Sequence, residues 1–104
     1  MPQPTTDLFV AQRINDLPNA VWYHKAKGLT TRLQFKDFTS AIAFMADLAP
    51  AIDALVHHPE WTNVYNRIDI VLCTHDAGNR VTQKDLELAA LIDERFGATL
   101  AKTD

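Results

Sequence analysis

The chain has 104 residues, 47% hydrophobic and 22% charged, the composition of a single globular domain with a modest core. A formal charge of −3 excludes a nucleic-acid binder that works by neutralising phosphates. The one cysteine, Cys73, excludes an internal disulfide framework and, lying in an apolar run, reads as a buried structural thiol. No apolar stretch approaches the ~20 residues of a membrane span, and the opening "MPQPTTDLF" lacks the order of a secretory signal. The chain therefore reads as one soluble, cytoplasmic domain over residues 1–104.

Residues 1–6 are expected to form a mobile tail. Thr6 or Asp7 caps a short helix whose apolar face is Leu8, Ala11, Ile14 and Leu17, with Pro18 ending it. "AVWYHKAKGLTTRLQF" predicts a hairpin: Val21 and Tyr23 alternate with Trp22 and His24, and Lys27-Gly28 makes the turn. Leu29, Thr31, Leu33 and Phe35 then share one face. "DFTSAIAFMADLAPAIDALV" predicts a helix with one stripe of Phe38, Ile42, Met45, Leu48, Ile52 and Leu55. Pro50 within it removes a hydrogen bond and predicts a kink or a break.

From Trp61 to Thr74 the period becomes two, with Ile68, Ile70 and Leu72 opposing Asp69, Val71 and Cys73. Asn66-Arg67 is expected to divide this stretch into two short strands. After the loop "HDAGNR", "VTQKDLELAALIDERFG" predicts a last helix, capped by Thr82 with Asp85 three residues on. Leu86, Ala89, Ala90 and Phe96 form its buried face, and Gly97 is placed as its C-cap. The expected architecture is α+β in two layers: a short helix, then β-β-α-β-β-α, with helices on one face of a four-stranded sheet.

The rare chemistry of the chain is concentrated in "LVHHPEWTNVY" and "LCTHDAG". His57 and His58 leave the central helix, and His75 sits where a strand gives way to a loop. Loops held by a rigid scaffold are where functional residues gather, and imidazole both gives and takes protons near neutral pH. Asp53, four residues before His57, is expected to orient that imidazole across one helical turn. Pro59 restrains His58 to extended geometry, while Trp61 and Tyr65 offer flat apolar surfaces. Together these residues describe an acid–base pocket for a planar heterocycle.

The run "DALVHHPEWTNVY", followed by "THDAG" and then Asp85, resembles pterin-4a-carbinolamine dehydratase. That family's signature is a charged residue, three spacers, His-His-Pro, an aromatic residue, a histidine in the second loop and a later Asp. Asp53, His57, His58, Pro59, Tyr65, His75 and Asp85 fill those places, and the similarity spans roughly residues 17 to 95. The resemblance implies loss of water from 4a-hydroxytetrahydrobiopterin to give quinonoid dihydropterin, which recycles the cofactor of aromatic amino acid hydroxylases. It implies no metal, no organic cofactor, and a homodimer or homotetramer.

Carried over by resemblance, His57 and His75 are the acid–base groups and His58 mainly binds the pterin, with Asp53 and Asp85 in support. Pro59, Trp61, Thr74, Asp76 and Ala77 complete the expected substrate pocket beside the three histidines. Two departures stand out. The loop "HDAGNRVTQKD" is one residue longer than in many members, so Asn79 and Arg80 are expected to add bulk at the pocket mouth. Asp53 stands where a longer Glu is frequent.

Two rival readings remain open at this point. Animal members of the family also serve as a dimerisation cofactor of a transcription factor, which would be a non-enzymatic interaction role. His57, His58 and His75 also make a conceivable zinc triad, although adjacent histidines rarely ligate one ion comfortably.

Overall fold

The structure is a computed structural model that describes residues 6–25, 28–78 and 80–102. Lys27 of the expected turn, Asn79 of the second loop and residues 1–5 of the expected tail lie outside these.

Helix α1 spans Asp7–Asn15, and the hydroxyl of Thr6 caps it by accepting from the Phe9 amide at 3.3 Å. Strands β1 (Tyr23–Lys25) and β2 (Gly28–Gln34) pair antiparallel, with Tyr23 opposite Thr30. Helix α2 (Phe38–Leu55) follows, then β3 (Glu60–Val64), β4 (Arg67–Leu72), a 3-10 turn (His75–Ala77) and helix α3 (Gln83–Lys102). The sheet is antiparallel throughout, in the order β1-β2-β4-β3.

Alternation along the central strands decides which face meets the helices. Leu29, Thr31 and Leu33 of β2 and Ile68, Ile70 and Leu72 of β4 are buried, and Phe35 continues the row. Ala41, Phe44, Leu48 and Ile52 of α2 complete that core together with Leu88, Ala89, Ile92 and Phe96 of α3. Phe35 sits 5.2 Å from Phe44 and 5.5 Å from Phe96 between ring centroids, tilted and edge-on contacts worth about 0.5–1.5 kcal/mol each beyond their buried area. The opposite face of the sheet mixes polar side chains with exposed Tyr23, Val64 and Val71, and carries an Arg32–Asp69 ion pair at 2.6 Å. The guanidinium of Arg32 holds the Asp69 carboxyl below its ordinary pKa.

Several local expectations change. In α1 the fully buried residue is Val10, while Leu8 is exposed, so the helix lies on the core through a neighbouring face. In α2 the stripe is rotated as well: Ala41 and Phe44 point inward, whereas Phe38 and Ile42 are exposed. Pro50 neither breaks α2 nor divides it; the helix is continuous through it, with Pro50 on the solvent side. There the carbonyl it leaves without an amide partner can be met by water. At 18 residues and a mean hydropathy of 1.4, α2 is long and apolar enough to cross a membrane by length and composition, contrary to the expectation from sequence. In this fold one side of it lies on the sheet instead.

The turn between β3 and β4 is Tyr65-Asn66, one residue earlier than expected, with Tyr65 at φ 52°. Gly97 does not end α3, which runs on to Lys102. A Cβ at Gly97 would lie 2.3 Å from the Asn19 side-chain nitrogen, and that nitrogen donates to the Asp93 carbonyl at 3.0 Å. The glycine is there for close approach. The carboxylate of Asp93, buried beside it, accepts from the Asn19 and Ala20 amides and from the Trp22 indole.

Candidate active site

The site begins where α2 stops. Val56 takes the left-handed conformation (φ 53°, ψ 41°) and its amide donates to the Asp53 carbonyl, so the chain turns sharply off the helix. A β-branched residue rarely adopts this conformation. His57 consequently leaves the helical surface, and the one-turn relation expected between Asp53 and His57 no longer holds.

Asp85 takes the expected place of Asp53. His57 Nε2 lies 2.5 Å from Asp85 Oδ1. The second oxygen of Asp85 accepts from the Thr74 hydroxyl at 2.7 Å and from the Thr82 amide at 2.9 Å. Thr74 and Thr82 also share a hydroxyl–hydroxyl contact at 2.7 Å. The Thr82 amide bond is the acidic half of the capping box predicted for α3. Asp85 has no exposed surface, and such a carboxylate is tolerated because each of its oxygens is met by a donor. With Nε2–H donated to Asp85, Nδ1 is the nitrogen of His57 left for the cleft, a tautomer assigned from the hydrogen-bond network.

Asp53 pairs with His58, Nε2 to Oδ1 at 2.9 Å, and both side chains are exposed. A pair so open to solvent is worth at most about 1 kcal/mol. His75 opens the 3-10 turn at the end of β4, where Gly78 donates its amide to the His75 carbonyl. The Thr74 amide donates to the Arg80 carbonyl at 2.8 Å and closes the loop.

These pieces border one cleft of about 470 Å³, lined by Val56, His57, His58, Pro59, Glu60, Cys73, Thr74, His75, Asp76 and Lys84. Its size is that of a small-molecule site. The three histidines meet there, together with Pro59, Thr74 and Asp76. Trp61 does not: it pairs with Ile70 in the sheet and packs against the core, because alternation from Glu60 turns it toward the helices. Tyr65 sits at the far end of β3, and Ala77 is absent from the lining. Arg80 is likewise absent from the lining; it binds the loop through its backbone instead of adding bulk.

Val56, Glu60, Cys73 and Lys84 are the lining residues that sequence reasoning missed. Period two had placed Cys73 opposite the core-facing Ile70 and Leu72, and that was the available signal. The thiol is half-buried, not buried as expected. Partial burial, together with the nearby carboxylates of Glu60 and Asp85, raises its pKa above the ordinary thiol range, so it is no activated nucleophile at neutral pH. His57, His58 and His75 do not form the zinc triad considered above. Among the described residues, the group at ligand distance is Glu60, Cys73 and His75.

The chain is similar to known proteins along most of its length. The family described as pterin 4 alpha carbinolamine dehydratase matches residues 3–95. A relative from Burkholderia orbicola, provisionally named pterin-4-alpha-carbinolamine dehydratase, is 46% identical over 81 residues, 78% of each chain. Another of the same provisional name, from Opitutus terrae, is 44% identical over 89 residues, 86% of this chain and 90% of the relative. The crystal structure of a transcriptional coactivator/pterin dehydratase from Brucella melitensis superposes with a TM-score of 0.75 at 32% identity, covering 92% of this chain and 97% of that one. On the match across residues 3–95 and these relatives, the chain belongs to the pterin 4 alpha carbinolamine dehydratase family.

Proposed function

We propose that this protein dehydrates 4a-hydroxytetrahydrobiopterin to quinonoid dihydropterin and water, recycling the tetrahydropterin cofactor of aromatic amino acid hydroxylases. The observation that carries this reading is the meeting of His57 and His75 in one cleft of pterin size, with His57 backed by buried Asp85. In the reaction the C4a–O bond breaks and a C4a–N5 double bond forms. The leaving hydroxyl takes a proton from one imidazolium and departs as water, while the N5 proton passes to a neutral imidazole. No electron changes hands, so the step asks only for a proton donor, a proton acceptor and a positioned ring.

His57 and His75 take the acid–base roles. Asp85 holds the His57 ring by Nε2 and stabilises it when protonated, which leaves Nδ1 to exchange the proton. His58, exposed and tied to Asp53, binds the pterin at the mouth, with Pro59, Thr74 and Asp76 around it. We place the protein in the cytoplasm as a homodimer or homotetramer. A reducing compartment suits its single half-buried thiol, and the exposed apolar side of α2 suits self-association.

A second reading, a protein-interaction role as dimerisation cofactor of a transcription factor, draws on the Brucella melitensis neighbour. Dehydration of freshly generated carbinolamine by the purified chain, with the uncatalysed rate subtracted, separates the two. His57→Ala and His75→Ala are each expected to lower kcat by about 10²- to 10⁴-fold, and the double variant by more. His58→Ala is expected to raise KM more than it lowers kcat. A folded double variant with wild-type kcat would overturn the proposal.

A further inference from the structure

We propose that Glu60, Cys73 and His75 form a binding site for a zinc-type divalent ion in the wall of the cleft. A carboxylate oxygen, the thiol sulfur and an imidazole nitrogen of these residues all lie within 4.8 Å of one another, and all three residues line the cleft.

The fold makes this meeting by strand register. Glu60 opens edge strand β3 opposite Val71. Cys73 is two residues beyond Val71, so alternation returns it to the face of Glu60. His75 is two further on, at the start of the 3-10 turn. The backbone beneath it is fixed on both sides, by Thr74 bonded to Arg80 and by Gly78 bonded to the His75 carbonyl.

Donor chemistry selects the ion. Zinc takes sulfur at ~2.3 Å and nitrogen or oxygen at ~2.0–2.2 Å, which sets tetrahedral donors roughly 3.3–3.7 Å apart. Small side-chain rotations reach that spacing from the separations here. Magnesium and calcium prefer all-oxygen shells and gain nothing from a thiolate. Three protein ligands leave one position open toward the cleft, the arrangement of zinc sites that exchange a ligand. The carboxylates of Glu60 and Asp85 also place negative charge around the sulfur, which a dication offsets.

Bound there, the ion occupies the imidazole of His75. The site is therefore regulatory: zinc withdraws one proton-exchanging group from the cleft and competes with its ligand. That consequence rests on the proposed function, whereas the binding itself does not.

The test is titration of chelator-stripped protein with zinc against a chromophoric chelator, and with cobalt(II) read by its thiolate charge-transfer absorption. One ion per chain and a clear charge-transfer band are expected. Loss of an outer partner of a zinc ligand typically costs 10–100-fold in affinity, so loss of a ligand is expected to cost at least about 100-fold. Cys73→Ala should meet that figure and abolish the band, and Glu60→Gln, an exposed change at the sheet edge, should also weaken binding with circular dichroism unchanged. His57→Ala should leave ion affinity as it is. Three results overturn the site: no binding at micromolar zinc, binding that survives Cys73→Ala, or binding lost with His57. These readouts do not use catalysis, so a failed dehydration assay and a failed metal site remain distinguishable.

Discussion

His57 meets Asp85 at 2.5 Å across 28 residues of sequence, while Asp53, four residues away in the chain, turns to His58 instead. Support for the inner histidine thus comes from the first turn of α3, not from α2. The two carboxylates should differ accordingly. Asp85→Asn keeps one acceptor for three partners, so it is expected to lower kcat for carbinolamine dehydration and to lower stability by about 1–3 kcal/mol. Asp53→Asn, at an exposed pair, should change either by little. Steady-state kinetics and urea unfolding of both variants check this; equal losses at the two positions would refute the assignment.

Self-association is expected through α2. Phe38 and Ile42 are 50% and 40% exposed on a helix that already buries its other side. Exposed apolar surface of this kind marks an interaction site. Light scattering should therefore give a mass two or four times 11.7 kDa, and Phe38→Lys with Ile42→Lys should lower it. A monomer at micromolar concentration would refute the prediction.

Val56 offers a test of strain. It holds a left-handed backbone (φ 53°) while 74% exposed, so its side chain gains little packing there. A β-branched residue in this region costs on the order of 1–2 kcal/mol, and Asn adopts it more readily. Val56→Asn is expected to raise unfolding free energy by about 1 kcal/mol, read by urea denaturation. A loss of stability would mean that the side chain supports the turn in another way.

Cys73 supplies the pH dependence. Its pKa is raised by burial first and then by Glu60 and Asp85, so the protonated thiol persists to higher pH than in a free cysteine. Alkylation of the metal-free protein by iodoacetamide should be slow at pH 7, with its rate rising at a pH above the ~8.5 of an unperturbed thiol. A midpoint at or below that of free cysteine would contradict the environment described. Glu60→Gln removes one of the two carboxylates and should move the midpoint down.

Much of this molecule was legible in the order of its residues. The alternation of Leu29, Thr31, Leu33 and Phe35, and of Ile68, Ile70 and Leu72, determined the buried face of the sheet, because a strand sends successive side chains to opposite sides. The helix positions, the Thr6 cap and the capping relation of Thr82 and Asp85 were likewise local, set by side chains within a few residues of the backbone groups they satisfy. Only the tertiary structure decided the rest. Asp85 reaches His57 because α3 packs its first turn beside the end of α2, and no local spacing encodes that contact. Val56 ends α2 one residue before the histidines, which cancels the helical spacing that had pointed to Asp53. Strand pairing draws Trp61 to the core and leaves Glu60 in the cleft beside Cys73 and His75. Propensity and periodicity act along the chain, whereas a site is made where distant segments pack together.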